Sequence, residues 1–303
     1  MPGKHFLIVI GGPTASGKTE LAIRLATDLG TEILSADSRQ FYREMRIGTA
    51  RPDEAQLAAV PHHFIGHLSV ADSYSVGDYE RDALALLDKL FEQHQAVILT
   101  GGSGLYIKAL CEGLDEFPEV PAEVLEGVKN LYAEQGIEAL QRELQSIDPA
   151  YYATVDLQNP HRLIRAIAVY RASGKPFSSF RTLQAVERPF TPVYIWLDWP
   201  REALYQRINR RVDQMLEQGL LEEARQLYPL RHFNALQTVG YQELFDYFEG
   251  KLTLDAAVDL IKQNSRRYAK RQLTWMRRDG HWAAFNPGQW EEIAAFAAAK
   301  MLE

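Results

Sequence analysis

The sequence predicts an α/β fold, a parallel sheet flanked by helices and interrupted by a helical insertion. Short apolar runs at Phe6 to Ile10, Ile33 to Ser35, Ala96 to Thr100 and Val193 to Leu197 alternate with stretches of helical periodicity. Strands alternating with helices imply a parallel sheet covered on both faces. Between about Pro118 and Pro192 the strand signals disappear and the pattern turns helical. The expected organisation is therefore a core of residues 1–117 and 191–303 with an insertion at 118–190.

The elements follow in order. Phe6 to Ile10 is bounded by Gly11-Gly12-Pro13, after which Leu21, Ala22, Leu25, Ala26 and Leu29 recur at helical spacing, giving strand, loop and helix. Within the insertion, helices are expected over Val124 to Glu134, Ile137 to Leu144 and Arg162 to Ala172. The last has Asn159 as its N-cap, Pro160 in its first turn and Gly174 just past its end. Beyond the strand at Val193 to Leu197, long helices are expected from Arg201 to Glu217 and from Ala256 to Arg277.

Composition narrows the classes. With 303 residues, 46% apolar and 24% charged, the chain is an ordinary globular protein with ample material for a core. No apolar run approaches the ~20 residues of a spanning helix, and Met-Pro-Gly-Lys-His runs straight into the first strand. A cytoplasmic protein with no membrane partner is expected. Its single cysteine, Cys111, excludes an intramolecular disulfide and a cysteine-rich zinc site and is expected as a buried small hydrophobe. The net charge of -7 argues against nonspecific nucleic-acid binding by the whole surface. Cations are nevertheless concentrated in two acid-free stretches, Lys262 to Arg278 and His161 to Arg181. Such runs are ordinarily solvated helix faces.

The sharpest motif is Gly12-Pro13-Thr14-Ala15-Ser16-Gly17-Lys18-Thr19, a P-loop pattern set between an expected strand and helix, which makes the fold P-loop NTPase-like. Its glycines let backbone N–H groups converge on phosphate oxygens, Lys18 supplies a point charge, and Thr19 is placed to ligate Mg²⁺. The motif specifies a phosphate or diphosphate, not a reaction, so kinases and NTPases stay open.

Asp37 stands at the carboxyl end of the second strand, where ligands of open α/β sheets bind. It is a candidate base or metal neighbour, or else a helix N-cap. A third element, Gly101-Gly102-Ser103-Gly104-Leu105-Tyr106, puts a small-residue turn at the same sheet edge. The fourth interleaves Arg266, Arg267, Lys270, Arg271, Arg277 and Arg278 with Tyr268 and Trp275, a composition suited to phosphate contacts and base stacking. Tyr268, Leu273 and Met276 are expected to spend part of that pattern on core packing.

These motifs, in this order, resemble the tRNA dimethylallyltransferase family of the compact bacterial type, also called tRNA isopentenyltransferases. The resemblance covers nearly the whole chain. It is most specific at residues 12–19, at Asp37-Ser38 with Gln40 and Tyr42, at 48–52, at 101–106, at Val239-Gly240-Tyr241, and at 269–272 with Thr274-Trp275.

The resemblance implies dimethylallyl diphosphate as donor, Mg²⁺ as cofactor, and as acceptor the N6 amine of the adenosine 3′-adjacent to the anticodon in tRNAs reading codons that begin with U. The P-loop residues Gly12, Pro13, Thr14, Ala15, Ser16, Gly17, Lys18 and Thr19 would then hold the donor's diphosphate rather than ATP. Asp37 would act as base, with Lys18 and Thr14 completing the catalytic set. Contacts to the tRNA anticodon stem-loop would fall on Asp37, Ser38, Arg39 and Gln40, on Ser103, on His161, Arg162, Leu163, Ile164 and Arg165, on Gln237, Gly240, Tyr241 and Gln242, and on Lys270, Arg271, Gln272, Thr274, Trp275 and Arg277. Leu125, Gln237 and Gln242 stand where many bacterial members carry arginine, and Arg39 adds a cation. A monomer is expected. The competing classes are an adenylate isopentenyltransferase, a small-molecule or nucleotide kinase, and a tRNA-binding module whose P-loop only senses nucleotide.

Overall fold

The computed structural model describes residues 4–182, 186–279 and 281–303. Met1–Gly3, and Leu183–Ala185 of the expected insertion, lie outside them. The chain divides into two compact units, residues 1–112 with 187–303, and residues 113–186.

The first unit contains β1 (Phe6–Gly11), α1 (Lys18–Leu29), β2 (Ile33–Ser35), α2 (Glu54–Ala59), β3 (His62–His63), α3 (Val76–Leu90), β4 (Ala96–Thr100) and α4 (Gly104–Glu112). The second contains α5 (Ala122–Gln135), α6 (Ile137–Ile147), α7 (Pro149–Tyr152) and α8 (Pro160–Ser173). The chain then completes the first unit with β5 (Thr191–Leu197), α9 (Arg201–Glu217), α10 (Leu220–Leu227), α11 (Tyr241–Phe248), α12 (Leu254–Asp279), β6 (Ala283–Phe285) and α13 (Trp290–Leu302).

Among the described residues the sheet has six strands in the order β3-β2-β4-β1-β5-β6, and every pairing is parallel. β1 is buried along its whole length because alternate side chains serve opposite layers. Phe6, Ile8 and Ile10 pack with Leu21 and Leu25 of α1 and Ile293 of α13, while Leu7 and Val9 pack with Tyr79 and Leu87 of α3 and Ile107 of α4. A strand with no polar face has no solvated side to present. Cys111 is buried in the second of these layers.

This strand order positions the site. β2, β4 and β1 are neighbours, so the loops leaving their carboxyl ends, residues 36–38, 101–103 and 12–17, meet at one edge of the sheet. That is the crevice in which open α/β sheets bind ligands.

The second unit is a small helical core of Val128, Leu140, Leu144, Leu163 and Ile167. Its longest apolar face belongs to α8. Asn159 caps that helix by accepting from Arg162 N at 3.3 Å, Pro160 opens it, and Gly174 ends it in the left-handed region at φ 72. Each is the residue best suited to its position by φ or by side-chain oxygen. Asp148, 1% exposed, fastens the unit by accepting from Tyr151 N, Ser178 N and Ser178 Oγ.

Candidate active site at the strand ends

The P-loop is held from outside by long side chains. Arg207 of α9 donates to Ala15 O at 2.8 Å, and the Trp199 indole donates to Ser16 O at 2.9 Å. Gln272 of α12 accepts from Thr14 N at 2.9 Å through Oε1 and donates through Nε2 to Gly102 O at 2.9 Å. One amide therefore ties the P-loop to the loop after β4. Inside the loop the chemistry is left open. Helix α1 has no side-chain cap, so its first-turn N–H groups lack the partner a cap supplies, and the buried Ser16 hydroxyl has no protein partner. A buried orphan of this kind fits an anion that completes its hydrogen bonds.

The loops after β2 and β4 are packed back to back. Ala36 N donates to Thr100 O at 2.7 Å and Ser103 N to Ala36 O at 3.1 Å. A Cβ on Gly101 would lie 2.4 Å from the Ala36 carbonyl carbon, so this approach admits only glycine. Ser103 Oγ accepts from Ser38 N at 3.0 Å and donates to Ser38 Oγ at 3.1 Å. Asp37 caps no helix. Its Oδ1 accepts from Arg39 N at 3.3 Å within a turn, and its carboxylate faces a cavity of about 420 Å³.

That cavity is also lined by Thr14, Lys18 and Thr19, by Arg211 of α9, and by an aliphatic wall that includes Ile208, Val212 and Ile261. Lys18 donates to Pro13 O at 3.1 Å. Burial pushes its ammonium down to about 8, the Asp37 charge opposes the shift, and the Arg211 cation adds to it. Burial likewise lowers Arg211, again opposed by Asp37. Two desolvated cations and one carboxylate thus line the same cavity, and an entering polyanion would offset the cost of the cations' desolvation.

A second anchor shapes the cavity's far side. Glu223 of α10 accepts from Arg46 N at 3.0 Å, Ile47 N at 2.8 Å, Gly48 N at 2.9 Å and Tyr241 Oη at 2.7 Å. Gln40 donates to Thr49 O and Ala50 O, both at 3.2 Å. Together they hold the segment from Arg46 to Ala50 against the cavity.

The sequence-derived RNA-contact set divides by exposure. Lys270, Arg271, Thr274 and Arg277 are exposed, with Arg277 lying 3.7 Å from Asp198. Trp275 is half-buried, and a Cβ on Gly104 would meet its ring at 2.5 Å. Tyr241 is fully buried, so its ring is core rather than contact surface. Gln272, 7% exposed, is spent on the P-loop bridge. Gly240 N is taken by Glu243 at 2.8 Å, and Gln237 and Gln242 pair with each other at 2.8 Å. Arg39 is committed to Asn234 O and Ala235 O at 2.9 and 3.0 Å.

In the second unit His161, Arg162 and Arg165 are exposed and Ile164 is half-buried. Leu163 is fully buried and belongs to the helical core, where Leu125 also packs. Sequence reasoning therefore named two core residues, Leu163 and Tyr241, as contacts, because a run of motif residues does not say which face of its helix is inward.

It also missed Arg211 and Glu223. Arg211 had a legible signal, since Leu204, Ile208, Arg211 and Met215 fall on one helical stripe and a cation on an apolar stripe calls for a partner. Tyr268, in a pattern expected to divide between base stacking and core packing, is 37% exposed and lines the cavity, whereas Met276 is buried.

Comparison with known proteins places the chain among relatives. A family model described as IPP transferase matches residues 40–279. The chain is 55% identical over 275 residues to the tRNA dimethylallyltransferase of Christiangramia forsetii, covering 91% of each chain. It is 48% identical to that of Cytophaga hutchinsonii, covering 98% of each. The crystal structure of the full-length tRNA isopentenylpyrophosphate transferase from Bacillus halodurans superposes with a TM-score of 0.74 at 37% identity, covering 99% of this chain and 97% of that one. On the strength of these matches across nearly its whole length, the chain belongs to the IPP transferase family, that of the tRNA dimethylallyltransferases.

Proposed function

We infer that this enzyme transfers a dimethylallyl group from dimethylallyl diphosphate to N6 of the adenosine 3′-adjacent to the anticodon, in tRNAs reading codons that begin with U. The observation that carries this reading is a single cavity lined by the Asp37 carboxylate, the Lys18 and Arg211 cations and an aliphatic wall. The cations suit the diphosphate, the wall suits the prenyl chain, and the carboxylate suits the amine.

An exocyclic adenine amine is a weak nucleophile because its lone pair is delocalised into the ring. In the proposed step the lone pair forms the new bond to C1 of the allyl group. The bond from C1 to the diphosphate oxygen breaks with its electron pair leaving on diphosphate, and the N6 proton passes to Asp37. Lys18, Arg211, the α1 N–H groups and the hydroxyls of Thr14 and Ser16 oppose the charge that grows on the leaving group. Products are N6-(dimethylallyl)adenosine, diphosphate and a proton.

Among the described residues no group of three histidine, cysteine, aspartate or glutamate side chains could hold a metal. The donor set instead fits Mg²⁺, which keeps waters and takes substrate phosphate oxygens with few protein ligands. Thr19 would hold it. When bound it offsets charge on the departing diphosphate.

The target base must leave its stack to enter the cavity, and the exposed cations of α12 and α8 suit the phosphates of an anticodon stem-loop. No helix among the described residues is long and apolar enough to cross a membrane, and a tRNA acceptor assigns the work to the cytoplasm. The test uses purified protein, Mg²⁺, labelled dimethylallyl diphosphate and unmodified tRNA, with AMP and ATP as parallel acceptors. Label on tRNA alone is expected, and Asp37→Ala is expected to lower the rate by about 100-fold or more with RNA binding retained. Label on AMP or ATP, or none anywhere, would sink the reading.

A further inference from the structure

Tyr268 is the only aromatic side chain among the described residues that line the cavity. On α12 it stands one turn before Gln272, whose amide fixes that face of the helix against the P-loop and the loop after β4. Ala269, the next residue, is fully buried against Ala15 and Leu204, so the backbone at Tyr268 has little freedom to turn. The residue is nevertheless 37% exposed. Its hydroxyl lies near the Ser103 side chain, whose Oγ accepts from Ser38 N beside Asp37. The Arg271 guanidinium lies over the ring, 5.6 Å from its centroid. Tyr268 is thus a rigid, partly open π-face at the cavity edge, linked through Ser103 to the turn that carries Asp37.

A flipped base loses its stacking partners and must regain them on protein, for which aromatic faces are the usual means. We propose that the Tyr268 ring is the platform on which the target adenine stacks, so that the base plane is held with its N6 amine toward Asp37. This rests on the reading of the cavity as a prenyl-transfer site with an RNA acceptor. Tyr268 is a positioning residue, and no proton passes through it.

The test compares wild type, Tyr268→Phe and Tyr268→Leu with two readouts. In the transfer assay Tyr268→Leu is expected to lower kcat/KM for the RNA by about 5- to 100-fold, the range expected for a lost base stack, with KM for dimethylallyl diphosphate unchanged. Tyr268→Phe, which keeps the ring, is expected to stay within about threefold of wild type on the same reasoning. In the second readout an anticodon stem-loop carrying 2-aminopurine at the target position is bound to each protein without donor. Emission from the base is expected to be quenched on wild type and on Tyr268→Phe, and severalfold brighter on Tyr268→Leu. Equal emission from all three, or an equal loss of transfer in Phe and Leu variants, overturns the stacking role. Failure of wild type to transfer any label would instead defeat the underlying functional reading, while the fluorescence arm would still report on Tyr268.

Discussion

The lowered Lys18 ammonium makes a measurable claim about donor binding. Burial pushes Lys18 down to about 8, so near neutral pH it is mostly charged, and by pH 9 it is mostly neutral in the empty enzyme. A diphosphate in the P-loop favours the charged form and raises the value again. Binding should therefore take up protons, rising from about 0.1 per site at pH 7 to about 0.5 at pH 8 and about 0.9 at pH 9.

Titration calorimetry with dimethylallyl diphosphate in buffers of different ionisation enthalpy reads this number directly. Lys18→Arg supplies the control, since guanidinium stays charged throughout and leaves only the ligand's own protons. Affinity of wild type should fall with pH above about 8 by up to tenfold per unit, and that of the arginine variant should not. The stability of the empty enzyme moves the opposite way with pH. Between about 8 and the unfolded value of 10.5 the unfolded chain holds more protons, so the Lys18 contribution rises with pH there, and its desolvation penalty is full below that window. Proton uptake that is flat from pH 7 to 9, or equal in the two proteins, would refute a desolvated Lys18 at the donor site.

Three further outcomes are expected. Gly101→Ala puts a Cβ 2.4 Å from the Ala36 backbone and should destabilise the enzyme by about 1–3 kcal/mol, read as a lower urea midpoint; an unshifted midpoint contradicts the close packing of the two loops. Glu223→Gln turns a donor toward N–H groups of the Arg46 to Gly48 segment, and loss of two hydrogen bonds to a charged group should cost about 3–6 kcal/mol; a smaller loss in denaturant melts would show that the Arg46 to Gly48 segment does not depend on this carboxylate. Arg271→Ala should weaken tRNA binding and reduce the slope of log affinity against log salt by about 1, whereas an unchanged slope would make this arginine structural.

Features built from near neighbours in the chain were legible without coordinates. Helix α9 runs from Arg201 to Glu217 as its periodicity predicts, and α8 carries the expected cap, opening proline and closing glycine. The P-loop lies between strand and helix because the three are contiguous. β3 was not legible, being 2 residues long, too short to show a period, and β6, Ala283–Phe285, is two-thirds alanine, which is depleted in strands.

The sequence by itself thus determined the parallel α/β core, the helical insertion pattern, the phosphate loop and the family. Tertiary structure alone decided which residues complete the site and in what capacity. Gln272 joins Thr14 across 258 positions and Gly102 across 170, and Glu223 caps Ile47 from 176 positions away. The same is true of exposure, which buried Tyr241 and Leu163 and left Tyr268 open. The physical reason is common to all of them. Helix, turn and strand signals arise from backbone geometry a few residues long, whereas a hydrogen-bond partner or a buried face is set by whichever distant segment the sheet order brings alongside.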